Sequence, residues 1–511
     1  MFNGKVLKLA ASSDGLSRAK QVLFELADQR HETHTILSTY FDTAANRLRR
    51  EGFVLCVHER DRRYVQTLRA RRANGAAATA AEWVDDIDES KPDLRAPNSR
   101  DHLPRALDEG ELQAQFTTLV KRTPFSLEPD ASTRIDGSID EGLITVVGDK
   151  GIEPIAELTL DLKRGNPAVL YETALRLLEV ASLRLTILSK AERGYSLLGA
   201  SLDPWAARTS AADLTPDMTV EQALERIGWI CLTTLLRHEK SALAGIPEGV
   251  HQTRVAIRRL RSVINAIKPL LPGEQRELVG RELRWLAAAL APARNWDVLS
   301  TVILAPVKSA SPGERDLDDL CRIADRERAS AHRAANAALQ SVQYTTALLK
   351  LSRWFTARSW RDQPVTERSA LLMTPIGAVA PRLIARRYRK TMKAADQFAD
   401  LTLTQRHEFR IAVKKLRYTI ECLADLFDAD KVEKFVHNLR PLQDDLGYAN
   451  DVWVADQLMA TLESPDDRTS IARAAGIVIG WHDRGLADHG HRLSKRVRRL
   501  QRARPFWIEH V

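Results

Sequence analysis

In the N-terminal part of the chain, apolar residues alternate with polar ones over short runs that Gly, Asp, Asn and Pro separate. A period of two is typical of β-strands that have one buried face. The clearest runs lie at residues 53–57, 64–68, 143–147 and 155–162. Two stretches with helical periodicity interrupt them, at residues 16–30 and 168–181. This pattern predicts an α+β region that is rich in antiparallel sheet.

The second part of the chain has a different pattern. After a stretch with Pro and Asp at residues 203–217, apolar positions recur with a period near 3.6, which is typical of α-helices. A chain of 511 residues and 57.3 kDa is also too long for a single hydrophobic core. We therefore predict an α+β domain at residues 1–205, a linker at 206–218 and an all-helical domain at 219–511.

The basic charge of the protein lies in the predicted helical domain. Residues 1–205 hold 28 Lys and Arg against 31 Asp and Glu, and residues 206–511 hold 48 against 36. The formal charges of the two parts are therefore −3 and +12, which agree with the +9 of the whole chain. A polyanionic partner is accordingly expected at the helical domain.

The apolar residues do not form a membrane signal. The sequence contains no uninterrupted apolar stretch of about 20 residues, and its first residues lack the apolar run of a secretory signal. We expect a cytoplasmic protein that does not insert into a membrane.

The helical part contains an internal repeat with an offset of 156 residues. The segment HQTRVAIRRLR at residues 251–261 returns as HEFRIAVKKLR at residues 407–417. At the same offset, RNWDV at residues 294–298 matches NDVWV at residues 450–454, so each His precedes its second motif by 43 residues. Equal spacing of two motifs predicts two homologous halves, related by an approximate twofold axis.

In each copy the basic residues share one side of the predicted helix. At 100° per residue, those of the first copy fall within a sector about 80° wide, and the apolar residues lie opposite. The candidate binding residues, including the border positions 259 and 415, are His251, Arg254, Arg258, Arg259, Arg261, Arg294, His407, Arg410, Lys414, Lys415 and Arg417.

Two interpretations of these faces remain open. A basic helix face is often only solvated, with carboxylates supplied by other helices, and like charges one turn apart destabilise a helix by a few tenths of a kcal/mol. The alternative is a cationic groove that binds a polyanion. The return of His, Arg and spacing in a second copy favours the groove, because contact with solvent requires neither histidine nor a fixed order.

The chemistry of the faces favours a phosphate chain over nucleic acid. Arginine can contact two phosphate oxygens at once, lysine supplies a compact charge, and histidine adds a donor. Nucleic-acid sites usually add aromatic stacking platforms, and Tyr418 is the exception among these otherwise non-aromatic faces. Further cations could extend the groove or could equally be solvated on helix surfaces; they are Arg237, Lys240, Arg382, Arg386, Arg387, Arg389 and Lys390.

The repeated motif resembles the CHAD family over residues 219–511. The resemblance implies two four-helix bundles with pseudo-twofold symmetry and a central basic groove. It further implies binding of inorganic polyphosphate, without a required cofactor, and association with polyphosphate granules.

Stretches of the N-terminal part are similar to the CYTH, or triphosphate tunnel, domain. They lie at residues 39–43, 64–69, 157–163 and 189–195. The resemblance implies an antiparallel eight-stranded tunnel barrel that hydrolyses triphosphates with a divalent metal.

The catalytic pattern of the CYTH family is incomplete in this chain. Lys8 is all that remains of the opening ExExK, the ExExE stretch reads Glu157, Thr159 and Asp161, and Cys56 and His58 stand where RxR is expected. Magnesium requires oxygen ligands in near-octahedral geometry. We therefore predict a weak or inactive tunnel without catalytic residues, in which Glu157 and Asp161 are vestigial metal ligands. The predicted cationic lining, for which ordinary surface charge is the alternative, consists of Lys8, Arg69, Lys190 and Arg193.

Two classes of function follow. The first is a binding protein that captures polyphosphate in the helical groove. The second is a metal-dependent tripolyphosphatase, using Mg or Mn, to which the helical domain delivers long chains. The missing glutamates favour binding alone, and a nucleic-acid-binding protein is a third, less favoured interpretation.

Overall fold

The computed structural model describes residues 4–60, 63–70, 81–104, 107–148, 151–199, 212–462 and 468–510. The chain divides into two compact units. One comprises Met1–Ser210, Leu232–Arg237 and Val342–Ser359, and the other comprises Ala211–Cys231, His238–Ser341 and Trp360–Val511. Residues 206–211 of the expected linker lie outside the described residues, so the division at 205 and 219 stays a prediction.

The alternating runs of the first unit form one sheet. Each predicted run falls within a strand or overlaps one by all but its last residue. The strands are β1 Val6–Ala11, β2 Gln29–Arg30, β3 His34–Thr43, β4 Phe53–Arg60, β5 Arg63–Ala70, β6 Ala81–Ile87, β7 Leu112–Asp130, β8 Thr133–Val146, β9 Ile152–Arg164 and β10 Leu183–Leu185.

The sheet is antiparallel throughout the described residues, which confirms the predicted fold class of this region. The path runs β10-β1-β9-β8-β7-β3-β4-β5-β6, and β2 pairs with β7. It contains ten strands where eight were expected, and the short β2 and β10 are pairings too brief to give an alternating pattern.

Alternation along each strand separates an apolar face from a charged face. On β1, Leu7 and Leu9 are fully buried on the face that α1 contacts, and Lys8 points to the opposite face. On β9, Leu158 and Leu160 are likewise fully buried, and Glu157 lies on the charged face beside Lys8. Helix α4 (Lys190–Leu197) contacts this charged face, which we call the inner face of the sheet.

Four helices accompany this sheet. A side-chain cap begins α1, α3 and α4, at Ser12, Asn166 and Ser189 respectively, and the cap at Ser189 is a complete capping box. The helices are α1 Ser13–Leu26, α2 Arg47–Arg50, α3 Pro167–Val180 and α4 Lys190–Leu197. The predicted helix at 16–30 begins earlier because Ser12 caps it, and it ends earlier because residues 29–30 form strand β2.

The remainder of the described chain is helical, as predicted. Capping boxes at Thr219 and Thr402 begin α5 and α14, and a π-helical segment, Leu299–Leu304, joins α8 to α9. The helices are α5 Val220–Leu243, α6 Pro247–Ile267, α7 Gly273–Ala289, α8 Ala291–Val298, α9 Ala305–Ala310, α10 Arg315–Gln340, α11 Val342–Thr356, α12 Glu367–Ala370, α13 Ile376–Ala395, α14 Leu403–Cys422, α15 Ala429–Ala460 and α16 Arg468–Arg502.

Helix α11 belongs to the first unit, where it packs against α3. The hydroxyls of Tyr171 and Thr356 lie 3.1 Å apart, and Arg353 donates to Glu172 at 2.7 Å. Among the described helices, none combines the length and the apolar character needed to cross a membrane.

The repeated motifs lie on α6 and α14, which pack against each other. Their apolar positions are buried as the periodicity predicted. On α6 these residues are Ile257, Leu260, Val263, Ile264 and Ile267, and on α14 they are Val413, Leu416, Ile420 and Leu423. Burial of these stripes fixes the direction in which the basic sides of both helices face.

Candidate polyanion-binding site

The basic sides of α6 and α14 meet. Burial lowers the pKa of Lys414 to about 7, and the next causes are repulsion by Arg410 on its own helix and by Arg258 on α6. Arg254 of α6 also contributes to this repulsion. Residues 254 and 258 belong to the first copy of the repeat, and residues 410 and 414 belong to the second. The two cationic faces therefore act on one shared region of space.

We call this region the motif cluster. Its members lie on α6, α8 and α14. In four of them burial lowers the pKa and the charges of neighbouring members lower it further. The motif cluster consists of His251, Arg254, Arg258, Arg294, Arg410 and Lys414.

Arg254 is held in place within the motif cluster. Burial lowers its pKa to about 10, with further lowering by Arg258 and Arg294. Its Nη1 donates a hydrogen bond of 3.0 Å to the carbonyl oxygen of Ala287 on α7. An arginine whose pKa is lowered this far is a cation held against repulsion, and a bound anion would relieve that repulsion.

The two repeated histidines have different surroundings. His251 is half-buried, and burial followed by the charge of Arg294 lowers its pKa. His407 is exposed, and its Nδ1 lies 3.0 Å from Oδ1 of Asn450 on α15. Residues 294 and 450 are equivalent in the repeat, so the first copy places a cation where the second places an amide.

The motif cluster contains little negative charge. Within the described residues, none of its cations lies within 4.0 Å of a carboxylate oxygen. Asp451 is the acid that acts on Lys414 and Arg410; burial raises its pKa, and those two cations oppose the rise. Asp451 occupies the position that Asn295 has in the first copy.

Tyr418 does not offer a stacking platform. Its side chain is 5% exposed, and the guanidinium carbons of Arg258 and Arg417 lie 5.4 and 5.8 Å from its ring centroid. The ring therefore makes cation–π contacts with two arginines and has no exposed face on which a base could stack.

On the inner face of the sheet, in contrast to the motif cluster, the cations are paired with carboxylates. Lys190 donates to Oδ2 of Asp140 and to Oε2 of Glu157, both at 2.8 Å. Arg193 donates to Glu153 at 2.7 Å and also to Glu157. Burial raises the pKa of Glu157, but Lys190 and Lys8 outweigh it, so the pKa lies below its usual value. The buried carboxylates are thus ionised and already paired.

The other predicted tunnel residues are paired as well. Lys8 lies 3.9 Å from Glu157 and donates to the carbonyl oxygen of Leu188 at 3.2 Å. Arg69 makes two hydrogen bonds to Oε1 of Glu82, at 2.9 and 2.8 Å. The structure thus places all four predicted cations of the lining in ion pairs with carboxylates.

One end of the inner face is filled by side chains. The ring of Phe116 stacks on Tyr40 at 4.5 Å and meets Tyr195 of α4 edge-on at 5.2 Å. Gly194 allows this approach, because a Cβ there would lie 2.2 Å from the Phe116 ring. The Tyr195 hydroxyl donates to the fully buried Asp42 of β3 at 2.9 Å. This hydrogen bond holds α4 against the inner face of the sheet.

The residues present do not fit a divalent metal. Glu157 and Asp161 are four residues apart on β9, about 13 Å along an extended strand, whereas Mg²⁺ ligands lie about 2 Å from the ion. Glu157 pairs with Lys190 and Arg193, and Asp161 with Lys163. In the part of the chain that the structure describes, no group of three or more His, Cys, Asp or Glu is placed to hold a metal.

Comparison with known proteins identifies the helical part. Residues 226–460 match the family model of the CHAD domain. This part of the chain is a CHAD domain. It agrees with the crystal structure of the CHAD domain from the plant Ricinus communis at 25% identity and a TM-score of 0.50, covering 58% of this chain and 96% of that one.

Two further solved structures are similar to parts of the chain. PptA from Streptomyces chartreusis is 18% identical with a TM-score of 0.41, covering 56% of this chain and 99% of that one. HpAC1 from Hippeastrum, described as having a dominant triphosphatase activity, is 17% identical with a TM-score of 0.29, covering 39% and 97%.

Arg259 and Arg417 of the CHAD domain lie outside the motif cluster. Arg417 donates from Nε to Glu421 at 2.7 Å, and Nη2 of Arg259 lies 3.9 Å from the same carboxylate. Glu421 follows the second motif by one helical turn and joins α6 to α14 through these pairs. Burial lowers the pKa of Arg261 and of Lys415, and nearby cations add to the effect, Arg284 at Arg261 and Arg387 at Lys415.

Two charged residues near the basic faces, Asp451 and Lys268, were not predicted from the sequence. Asp451 lay within a recognised motif, but nothing in the pattern indicated that its carboxylate faces the cations. Lys268 could have been found, because it lies seven residues after Arg261 and therefore on the same side of α6.

Proposed function

We propose that this protein binds inorganic polyphosphate in the groove of its CHAD domain, as a capture protein and not as a hydrolase. The observation that carries the proposal is the motif cluster. Arginines of the first copy lie close enough to lower the pKa of Arg410 and Lys414 in the second, in addition to the effect of burial, and no carboxylate pairs with these cations in the described residues.

A bound polyanion would offset the burial and mutual repulsion of the cations in the motif cluster. At Arg254 and Lys414, burial disfavours the charged form most, and repulsion by neighbouring arginines adds to it. A chain of phosphates supplies negative charge at regular intervals, and each guanidinium can donate two hydrogen bonds to it. Binding would convert mutual repulsion into attraction, so a linear phosphate chain is the ligand that suits this groove.

Nucleic acid suits the groove less well. Proteins that bind single strands stack bases on exposed aromatic rings, at about 1–3 kcal/mol per base. Tyr418, the aromatic residue of the cationic faces, is buried beneath two arginines. A ligand with phosphates but without bases therefore matches the arrangement better.

We propose further that the N-terminal sheet is a scaffold without hydrolytic turnover. Phosphoryl transfer relies on metals and cations that are free to stabilise the moving phosphoryl group. Here Lys190 and Arg193 bind the carboxylates of the sheet itself, and Glu157 is occupied by them. A triphosphate could therefore bind Lys190 or Arg193 only if their ion pairs with the carboxylates were broken.

The site of action follows from the ligand. A polyphosphate-binding protein would be found with cytoplasmic polyphosphate granules, as the CHAD resemblance implies. Imaging of the tagged protein in cells with and without polyphosphate tests this, because the granular pattern should disappear with the polymer.

The decisive experiment titrates the full chain with long-chain polyphosphate by calorimetry. The wild type is compared with Arg258→Gln/Arg410→Gln, which removes one cation per repeat copy, and with Arg382→Gln/Arg389→Gln, which removes two exposed cations of α13. We expect the first variant to lose about 100-fold or more in affinity and the control to lose much less, since a charged hydrogen bond contributes about 1.5–3 kcal/mol.

Two further arms separate the remaining functions. If DNA displaces polyphosphate at matched phosphate concentration, the ligand assignment is wrong. Release of phosphate from tripolyphosphate with Mg²⁺ or Mn²⁺, at the rates of about 1–10³ s⁻¹ typical of enzymes, would establish the hydrolase instead.

A further inference from the structure

One of the repeated basic positions changes from arginine to lysine between the two copies. Arg258 of the first motif corresponds to Lys414 of the second, at the offset of 156 residues. A guanidinium stays protonated at physiological pH, whereas an amine can lose its proton and then act as a nucleophile. The second copy therefore has a group that can react where the first copy has only a charge.

Lys414 lies between two guanidinium groups. Arg410 precedes it by one turn of α14, and residues four apart on a helix share one side. One turn after Lys414 is Tyr418, and the guanidinium carbon of Arg258 lies 5.4 Å from the centroid of its ring. Helix α6 thus brings a second arginine to the other side of Lys414. Two guanidinium groups around one amine form a site for the oxygens of a phosphoryl group.

The amine of Lys414 has no partner within this site. Among the described residues it makes no hydrogen bond, and no carboxylate oxygen lies within 4.0 Å of its Nζ. Burial, followed by repulsion from Arg410 and Arg258, lowers its pKa to about 7. Arg254 on α6 adds to this effect, and Asp451 on α15 opposes it. About half of the amine is then neutral at pH 7, against about one part in 2,500 for a lysine with the usual pKa of about 10.4.

We propose that Lys414 is a site of acylation by acyl phosphates, and that its acylation reduces the binding of polyphosphate. An acyl phosphate combines the two groups that suit this arrangement, a phosphoryl group for the arginines and an electrophilic carbonyl carbon for the amine. The acylation itself follows from the surroundings of Lys414, whereas its effect on polyphosphate rests on the proposed function.

The reaction transfers the acyl group from oxygen to nitrogen. The neutral Nζ of Lys414 attacks the carbonyl carbon and forms an amide bond, and the bond from that carbon to the bridging phosphate oxygen breaks. The electron pair of the broken bond leaves with inorganic phosphate, and the nitrogen releases a proton to water. Arg258 and Arg410 hold the phosphoryl oxygens and stabilise the charge of the leaving phosphate.

Acylation and polyphosphate binding should oppose each other at Lys414. An acylated lysine is neutral, so the groove loses a cation that would contact the phosphate chain. A bound phosphate chain, in turn, occupies the flanking arginines and raises the pKa of the amine, which leaves less of it neutral. Polyphosphate should therefore protect Lys414 from acylation.

The test treats the full-length wild type with acetyl phosphate at pH 7 and measures the acetylation of each lysine by mass spectrometry. Lys434, which is exposed on α15, is the internal control. We expect Lys414 to react at least about tenfold faster, because its larger neutral fraction outweighs the lower nucleophilicity of a weaker base. Its rate should saturate with the concentration of acetyl phosphate, whereas the rate at Lys434 should rise linearly.

A second reagent separates binding of the phosphoryl group from reactivity of the amine. The N-hydroxysuccinimide ester of acetic acid carries the same acyl group without a phosphate. Arg258→Gln/Arg410→Gln should slow acetylation of Lys414 by acetyl phosphate about tenfold more than acetylation by the ester, because only the phosphate needs the arginines. Arg382→Gln/Arg389→Gln, which changes the net charge equally, should leave the difference between the reagents unchanged.

The effect on binding is measured by calorimetry with long-chain polyphosphate after treatment with acetyl phosphate. The affinity of the wild type should fall by about tenfold at full acetylation of Lys414. Lys414→Arg, which cannot be acetylated at this position, should keep its affinity after the same treatment. Equal losses in the two proteins would overturn the proposed effect on polyphosphate.

The outcomes separate this inference from the proposed function. Equal acetylation rates at Lys414 and Lys434 would overturn the inference, as would equal slowing with both reagents in the variant that lacks Arg258 and Arg410. The proposed function stands in either case if the wild type binds polyphosphate. If the wild type binds none, the proposed function fails together with the effect on binding, and the acetylation rates still decide whether Lys414 is an acylation site.

Discussion

His407 and Asn450 are 43 residues apart in the sequence, and Nδ1 of the one lies 3.0 Å from Oδ1 of the other. The same spacing in the first copy brings His251 to Arg294, whose charge lowers the histidine pKa. The repeat therefore keeps the two positions near each other in both halves, while the chemistry of the second position changes. In one half the histidine has an amide partner, and in the other it faces a cation.

This difference predicts that the pKa of His251 depends on the residue at position 294. Arg294→Asn gives the first copy the residue of the second and removes the largest charge effect on the imidazole after burial. The pKa of His251 should rise toward the usual value of about 6.5. An NMR titration of the imidazole resonances measures the change directly.

His102, which stacks on Trp83 in the other unit, is the internal control for that titration. The resonances of its imidazole should be the same in both proteins. A His251 pKa that stays unchanged would mean that Arg294 does not face it.

Much of the architecture could be predicted from local pattern. A period of two gave the strands and a period of 3.6 gave the helices, because burial of one face imposes these periods. The cationic sides of α6 and α14 followed from the same geometry. The equal spacing of two motifs indicated that the halves correspond, although it could not establish where their surfaces meet.

The pairing of charges could not be predicted in the same way. Glu421 lies just outside the second motif, yet it pairs with Arg417 on its own helix and lies 3.9 Å from Arg259 of the other. In the sheet, Lys190 meets Asp140 and Glu157 from strands that are remote in sequence. Whether a cation is free or paired depends on such tertiary contacts, to which hydrophobic periodicity is insensitive.

Binding should depend on pH through Lys414. Its pKa is about 7 in the free protein, and nearby phosphates would raise it, so binding takes up a proton. Between pH 7 and 9 the affinity for polyphosphate should fall as pH rises, by up to about tenfold per pH unit. Calorimetry in buffers of different ionisation enthalpy measures the proton uptake.

Lys414→Arg is the matched variant, since arginine stays protonated throughout this range. It should bind polyphosphate with a much smaller pH dependence. His251 of the motif cluster does not interfere, because burial and the charge of Arg294 lower its pKa below the usual value. A pH slope that is equal in both proteins would contradict the role of Lys414.

Removing Asp451 should strengthen binding. Asp451→Asn places in the second copy the amide that Asn295 provides in the first, and it removes the carboxylate that acts on Lys414 and Arg410. A phosphate chain would then meet no negative charge at that position. We expect affinity to rise several-fold, with the largest gain at low salt, where charges are least screened.

Asp456→Asn is the matched control, since this acid is exposed on the same helix, α15. It should change affinity much less. Weaker binding in Asp451→Asn would mean that the carboxylate positions Lys414 or Arg410 for the ligand.

The groove should reduce the stability of the unliganded protein. The folded pKa of Lys414 lies well below the usual value of about 10.4, so the unfolded chain binds more protons between pH 7 and 10. Lys414→Met keeps the aliphatic stem and removes the charge. At pH 7 we expect hydrogen exchange in α14 to slow by an amount equivalent to about 1–3 kcal/mol.

This gain should shrink as pH rises toward 10, because the folded lysine is already neutral and the free energy needed to deprotonate it on folding falls with rising pH. Lys434→Met, at an exposed position of α15, should change exchange little. Binding of polyphosphate should be weaker in Lys414→Met. A gain in stability together with a loss of binding is the signature of a site held under repulsion.

The carboxylates inside the sheet should act on stability and not on catalysis. Glu157→Gln leaves Lys190 and Arg193 with one partner fewer in a buried network, which typically costs about 3 kcal/mol. Asp161→Asn on the same strand removes an exposed pair with Lys163 and should cost less than about 1 kcal/mol. Hydrogen exchange in β1, β8 and β9 measures both effects.

The pH dependence gives a second readout of the same network. The folded pKa values of Glu157 and Asp140 lie below their unfolded values of about 4, so these groups stabilise the sheet above pH 4. That stabilisation is lost as pH falls through the folded values, and Glu157→Gln should lose less of it. If Glu157→Gln left exchange unchanged at pH 7, the carboxylate would be free to bind a metal, and the scaffold interpretation of the sheet would have to be abandoned.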